Sequence, residues 1–99
     1  MKKYIGEFIG TFILILVVMT TQNWLLIGVT LGLIILIGEQ FYKTSFNPAS
    51  SIAHYANNDI TITDFFVYII IEIIASITAY MVYKTYIKKQ TNTNNKKNK

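Results

Sequence analysis

Long apolar runs separated by short polar breaks form the main pattern of this chain. No charged residue lies between Phe8 and Gly38, and Glu72 is the only one between Phe65 and Tyr83. A helix needs about 20 mostly apolar residues to cross a hydrocarbon core of about 30 Å. The first run is too long for one crossing and is broken by polar residues just before Trp24, so we interpret it as two helices joined by a tight turn.

The pattern therefore predicts an all-α membrane protein with three transmembrane helices. We expect spans over about residues 4–19, 24–40 and 64–86, within a membrane domain of residues 1–89. Thr61 and Asp64 resemble a capping box at the start of the third span. Residues 90–99 contain no apolar side chain, and we expect them to form a disordered polar tail.

The segment 41–58, between the second and third spans, is too apolar for a solvated loop and too short to span. Asn47 is a favoured N-cap and Pro48 a favoured first helical residue, so a helix is predicted to start there. Ten residues from Pro48 to Asn57 would measure about 15 Å, half of the hydrocarbon core. This length indicates a re-entrant half-helix, which is tolerated only where protein or a water-filled cavity satisfies the backbone. On spacing alone, a surface loop with an interfacial amphipathic helix remains an equal alternative.

Composition narrows the function classes. Of the 99 residues, 53% are hydrophobic, the net charge is +4, and cysteine is absent, which excludes disulfides and thiolate metal sites. No acid/base pair, nucleophile with a base, or ligand cluster has usable spacing, so we expect no enzyme, metal or cofactor. No basic face with interleaved aromatic residues suggests nucleic-acid binding, and the lysines fit membrane anchoring better.

Three parts of the sequence are distinctive: residues 6–12 (Gly-Glu-Phe-Ile-Gly-Thr-Phe), Gly28 and Gly32 in the second span, and the stretch 46–53 around Asn-Pro-Ala. Together they resemble one half of an aquaporin, the major intrinsic protein family. The resemblance covers roughly residues 4–86. Members of that family contain two such halves, with six spans and two re-entrant helices related by an inverted repeat. The fold implied is half of that repeat.

The resemblance implies a membrane channel for water or small neutral solutes such as glycerol. Since half of the fold cannot enclose a pore, we expect a second copy to complete it as an antiparallel dimer with its two-fold axis in the membrane plane. The family's tetramer would then be a tetramer of dimers. Dual topology agrees with the balance of lysines near the two faces: Lys2, Lys3 and Lys43 against Lys84, Lys88 and Lys89.

Roles for individual residues follow from the resemblance. Asn47, Pro48 and Ala49 would form the pore centre, where two half-helices meet. Glu7 would support the backbone of residues 43–46 by accepting hydrogen bonds from it. Glu72 lies where the family often has Gln, and it would have a similar role or would simply be protonated. Ser50 lies where water-selective members of the family carry the arginine of their selectivity filter. Without that arginine, glycerol or ammonia becomes plausible as the transported solute. The second-span filter candidate is Leu31 or Ile27.

Small residues at four-residue spacing predict closely packed spans. The pairs are Gly6 with Gly10, Gly28 with Gly32, and Ala75 with Ala79. Glu39 is expected at the pore mouth or interface, and His54 is expected to pack or cap the half-helix.

Two other functions remain open at this point. The chain could be a non-conducting or heteromeric subunit that pairs with a different protein. It could also be a small dual-topology transporter with Glu7 or Glu72 as its proton-coupled carboxylate. The half-helix at Asn47 argues against the transporter, which would have no use for it.

Overall fold

The computed structural model describes residues 1–88, and the regular elements of these residues are all helices. The helices are α1 (Lys2–Thr20), α2 (Trp24–Gly38), α3 (Pro48–Ala56) and α4 (Ile62–Val82), and α4 continues as a π-helical turn over Tyr83–Lys88. No strand occurs within residues 1–88, so the all-α prediction is confirmed for this part of the chain. The predicted tail, residues 90–99, lies outside the described residues.

Polar caps determine where the helices begin. The Asn23 side chain accepts hydrogen bonds from the backbone N–H groups of Leu25 and Leu26, at 2.9 and 3.1 Å, and starts α2. The Thr61 hydroxyl accepts the N–H of Asp64 at 3.1 Å. Because Thr61 is the N-cap, α4 begins at Ile62, two residues before the expected start of the third span.

Within residues 1–88, two helical segments are long and apolar enough to cross a bilayer: α1, with 19 residues, and Ile62–Lys88, with 27. The α2 helix has 15 residues and ends at Gly38, where the expectation extended to residue 40. At 1.5 Å per residue α2 measures about 22 Å, short of a core of about 30 Å. Crossing by α2, and with it the three-span arrangement, stays a prediction.

The α1 and α4 helices run parallel and form the most extensive contact of the fold. Near their starts, Lys3 forms an ion pair with Asp64 at 2.8 Å, and the Tyr4 hydroxyl donates to the same carboxylate at 2.7 Å. Further along α4, Ala75 and Ala79 are fully buried. Small side chains at this spacing allow a neighbouring helix to approach closely, and the packing role of this pair stays a prediction.

The α2 helix, in contrast, buries none of its residues. It touches α1 along one side, and a Cβ atom placed at Gly28 or Gly32 would have no neighbour within 4 Å. Within residues 1–88, therefore, the Gly28 and Gly32 pair packs against nothing.

Candidate functional site

The start of α3 has the geometry of a capped helix. Asn47 is extended, and its side-chain oxygen accepts the backbone N–H of Ser50 at 2.9 Å. Its carbonyl accepts the N–H of Ser51 at 3.1 Å, which is the first bond of the helix, and Pro48 occupies the first turn. Asn47 and Ser50 are partly exposed, while Pro48 and Ala49 are exposed.

This helix start is attached to the middle of the two long helices. The Thr11 hydroxyl donates to the carbonyl of Phe46 at 3.0 Å, and Thr11 is the central residue of α1. The Ser51 hydroxyl lies 3.1 Å from both carboxyl oxygens of Glu72, the central residue of α4. The first turn of α3 thus lies halfway along the α1–α4 pair.

Glu7 connects α1 to the segment that precedes α3. Its carboxylate accepts the backbone N–H of Ser45 at 3.1 Å, the N–H of Phe46 at 2.8 Å and the Tyr42 hydroxyl at 2.9 Å. Burial, together with the charge of Glu7, raises the pKa of the Tyr42 phenol well above its usual range. Tyr42 therefore remains a hydrogen-bond donor, and the fully buried Glu7 carboxylate has three donors around it.

Phe46 needs this support because its backbone is strained. Its φ angle is 67°, a conformation that residues other than glycine rarely adopt, and its side chain is buried. Both polar groups of its backbone are used, the N–H by Glu7 and the carbonyl by Thr11. The surrounding hydrogen bonds thus hold a conformation that would otherwise be disfavoured.

The Gly6 and Gly10 pair has a different neighbour from the expected one. A Cβ at Gly10 would collide with the Phe46 ring, and one at Gly6 would lie 2.7 Å from the Tyr42 ring. These glycines therefore accommodate the aromatic side chains of residues 39–47, where the four-residue pattern had suggested a second helix. A Cβ at Gly38 would likewise collide with the Thr44 methyl group.

Glu72, also fully buried, meets a second set of hydroxyl groups. Ser51 bridges Glu72 and Ser45, with 2.6 Å between the two serine oxygens. The Ser45 hydroxyl also lies 3.2 Å from the carbonyl of Asn47. A continuous line of polar groups therefore runs from the middle of α4 to the residue that caps α3.

Glu39 and His54 lie at the more exposed end of the same region. The Glu39 carboxylate accepts the hydroxyl of Thr44 at 2.6 Å and its N–H at 3.1 Å, and the hydroxyl bond in particular holds the pKa of Glu39 below its usual range. The His54 ring contacts Asp59 at 2.9 Å. This bond, helped by one from Asn57, lowers the pKa of Asp59. The structure thus gives His54 a partner beyond the end of α3.

The filter candidates are not brought together. Ile27 and Leu31 are partly exposed on α2, and within the described residues α2 and α3 do not pack against each other. Ser50 therefore faces neither of them in a single chain. Residues 1–88 also contain no group of three histidine, aspartate or glutamate side chains placed to hold a metal ion.

An open apolar groove of about 460 Å³ lies between α1 and α2. Its lining includes Ile9 and Ile13 from α1, Ile34 and Ile37 from α2, and Phe46. The groove adjoins the segment that carries Asn47.

Sequence reasoning missed the residues that connect these elements. Tyr42 and Ser45 donate to Glu7, and Ser51 donates to Glu72. Thr11 donates to the carbonyl of Phe46. A usable signal was present for the serines, since two buried carboxylates require hydroxyl or N–H partners. Ser45 and Ser51 lie on either side of the Asn47-Pro48 helix start that Glu7 was expected to support.

Comparison with curated proteins finds a relative of similar sequence. Glycerol uptake facilitator protein-like 6 of Lactiplantibacillus plantarum is 34% identical over 96 residues, which cover 88% of this chain and 44% of that protein. The chain is similar to a facilitator-like protein. It spans less than half of the length of that relative. No protein-family model matches the chain, and no solved structure matches it.

Proposed function

We propose that this chain forms a membrane channel for small neutral solutes, with glycerol and water as the first candidates, by antiparallel pairing of two copies. The observation that supports this most directly is the position of Asn47. It starts a short helix halfway along two apolar helices, where the backbone is satisfied by Glu7 and Thr11. Such an interrupted, internally bonded segment is typical of sites through which polar solutes cross a bilayer.

The chemistry of Asn47 suits a neutral solute. Its side-chain oxygen is occupied by Ser50, and its amide nitrogen has no hydrogen-bond partner among residues 1–88, so two N–H donors are free to bind a passing hydroxyl or water oxygen. The N-terminus of α3 adds roughly half a positive charge at the same place, which disfavours cations. Ser50, in a chain without arginine, leaves room for a solute larger than water, and the facilitator-like relative supports glycerol.

Pairing with a second copy is supported by the open surface. The α2 helix buries none of its residues, Gly28 and Gly32 have no neighbour, and the groove beside α1 is apolar. The relative is more than twice as long as the matched segment, so two copies would approximate its length. In an antiparallel pair the exposed Pro48 and Ala49 of each copy would meet at the midplane.

The full burial of both carboxylates weighs against a proton-coupled transporter. Glu7 and Glu72 are enclosed by hydrogen bonds to the α3 region, and neither is exposed in residues 1–88. A carboxylate that exchanges protons with both sides of a membrane needs access that this arrangement does not provide.

Reconstitution into lipid vesicles tests the proposal. We expect the protein to speed osmotic shrinkage and glycerol entry over empty vesicles without collapsing a proton gradient. Ala49→Trp should block both, whereas Ile77→Trp, at an exposed site on α4, should not. Rates equal to those of empty vesicles would overturn the proposal.

Pairing is tested separately, because the chain contains no native cysteine. Ala49→Cys should form a disulfide-linked dimer in membranes, and Ile77→Cys should not. Efficient linkage through Ile77→Cys alone would contradict the antiparallel arrangement.

A further inference from the structure

An ion pair marks one end of the part of α1 and α4 that can lie in hydrocarbon. Lys3 and Asp64 are 2.8 Å apart, in the first turns of the two parallel helices. Charged side chains at such a position belong to the headgroup layer, because a charge inside the hydrocarbon core is costly. The hydrocarbon layer around the α1–α4 pair therefore begins after Lys3 and Asp64.

Polar residues mark the other end of the same pair. The α1 helix ends at Thr20 in a run of polar residues, and it contacts the π-helical turn that contains Lys84. Between the two ends, residues 4–19 of α1 measure about 24 Å at 1.5 Å per residue. Residues 65–83 of α4 measure about 28 Å on the same basis.

The α2 helix is shorter still. Its 15 residues, Trp24–Gly38, measure about 22 Å and lie between Asn23 and Glu39. Both polar residues are held in place within the fold. Asn23 caps the helix, and the Glu39 carboxylate accepts two hydrogen bonds from Thr44. The polar ends of α2 are thus fixed at this short separation.

Each of these three lengths is below the thickness of an average hydrocarbon core, about 30 Å. Tilting a helix reduces the thickness that it spans, so tilt increases the difference. A long side chain such as Lys84 can extend toward the headgroups, but the ammonium group of Lys3 is held by Asp64. In a thick bilayer the lipids around the protein would therefore have to thin, which costs free energy for each ångström of mismatch.

We propose that the protein fits a thin bilayer, with a hydrocarbon core of about 25 Å, and that phospholipids with short acyl chains are its preferred neighbours. Bilayer thickness then acts on the segment before α3. A thicker core draws Glu39 into hydrocarbon, and its bonds to Thr44 transmit the displacement toward Asn47. The fit rests on α2 crossing the membrane as in the proposed function, and the effect on transport rests on the channel itself.

The lipid preference can be measured through Trp24. It is the only tryptophan of the chain, it begins α2, and it is 80% exposed, so its fluorescence responds to the lipids around the protein. The protein is reconstituted with a brominated phosphatidylcholine, which quenches tryptophan, mixed with unbrominated phosphatidylcholines of different chain length.

We expect chains of about 14 carbons to displace the quencher about two to five times more effectively than chains of about 22 carbons. Equal displacement by all chain lengths, or stronger displacement by the longest chains, would overturn the proposal.

Paired substitutions test whether the polar end of α2 sets this preference. Glu39→Leu with Gln40→Leu extends the apolar stretch of α2 to Phe41, by about 4 Å, and should move the preferred chain length upward. Glu39→Gln with Gln40→Asn keeps polar side chains at both positions and should leave the preference unchanged. An unchanged preference in the double-leucine variant would contradict the proposal. If that variant does not fold, the wild-type series still decides.

Glycerol flux gives the functional readout. Wild-type flux, corrected for empty vesicles of the same lipid, should fall about two- to fivefold between chains of about 14 and about 22 carbons. Equal flux in all lipids would contradict the coupling of thickness to the segment before α3. A short-chain preference in a protein that conducts nothing would confirm the fit and overturn only the channel.

Discussion

The carboxylate of Glu7 lies 2.8 Å from the backbone nitrogen of Phe46, a residue held at a φ angle of 67°. Glu7 is on α1 and Phe46 is 39 positions further along the chain, so the bond joins two distant parts of the sequence. It holds the strained residue immediately before Asn47. The geometry of the candidate pore residue therefore depends on a side chain from another helix.

The first prediction concerns Glu7 and the fold. Glu7→Gln keeps the size of the side chain but leaves one of the Ser45, Phe46 and Tyr42 donors facing an NH₂ group. A buried donor without a partner costs about 1–3 kcal/mol, so we expect a clear loss of unfolding free energy. Thermal unfolding followed by circular dichroism in detergent measures it, and the exposed Glu39→Gln, expected to lose less than about 1 kcal/mol, is the comparison. Equal stability of Glu7→Gln and the wild type would contradict the bracing role.

The second prediction compares two glycines with the same sequence spacing. Gly10→Ala forces a Cβ into the Phe46 ring and should destabilise the chain by about 1–3 kcal/mol, as expected for overpacking. Gly28→Ala meets open space in a single chain and should be neutral or slightly stabilising.

The comparison needs unfolding in detergent under dilute, monomeric conditions. Crosslinking in membranes then measures the association of two copies. Gly28→Ala should alter this association if α2 lies at the contact between the copies. A Gly10→Ala protein as stable as Gly28→Ala would show that the Phe46 ring can move away at little cost.

These two glycine pairs also show what the sequence could predict and what it could not. Both have the same four-residue pattern, yet Gly6 and Gly10 receive aromatic rings while Gly28 and Gly32 have no neighbour. The pattern identifies a smooth helix surface but not what covers it. The start of α3 was predictable because an Asn-Pro cap acts within a few residues of its own position.

The hydrogen bonds between elements were not predictable in the same way. That Ser51 meets Glu72, and that Thr11 meets Phe46, depends on how three helices pack. Glu7 was expected near this segment only through the aquaporin resemblance, and its roles and those of Asn47 and Ser50 in transport stay predictions. Because α2 and α3 do not pack against each other within residues 1–88, Ile27 and Leu31 could face Ser50 only if a second chain were present.

The third prediction concerns acid pH. The Thr44 hydroxyl holds the pKa of Glu39 below its usual range in the folded protein. The stabilisation is therefore fully present above the pKa of the unfolded chain and is lost as pH falls through the lowered folded value. Because Glu39 is exposed, we expect the effect to remain below about 1 kcal/mol.

Melting temperatures at neutral and acid pH measure this contribution. Glu39→Gln should be slightly less stable than the wild type at neutral pH and should lose less on acidification. Thr44→Val, which removes the hydroxyl donor, should reduce the difference between the two. Identical acid dependence of the wild type and Glu39→Gln would exclude the contribution.

The fourth prediction separates the two roles of Asn47. Asn47→Asp keeps a side-chain oxygen for the N–H of Ser50, and its negative charge is favourable at a helix N-terminus, so α3 should remain capped. It lacks the NH₂ donors and places a carboxylate where the solute would pass, so glycerol flux in vesicles should fall sharply. Asn47→Ala loses the cap as well and should lower stability by about 1 kcal/mol. A stable Asn47→Asp protein with undiminished flux would mean that Asn47 only caps α3, and the solute path would have to lie elsewhere.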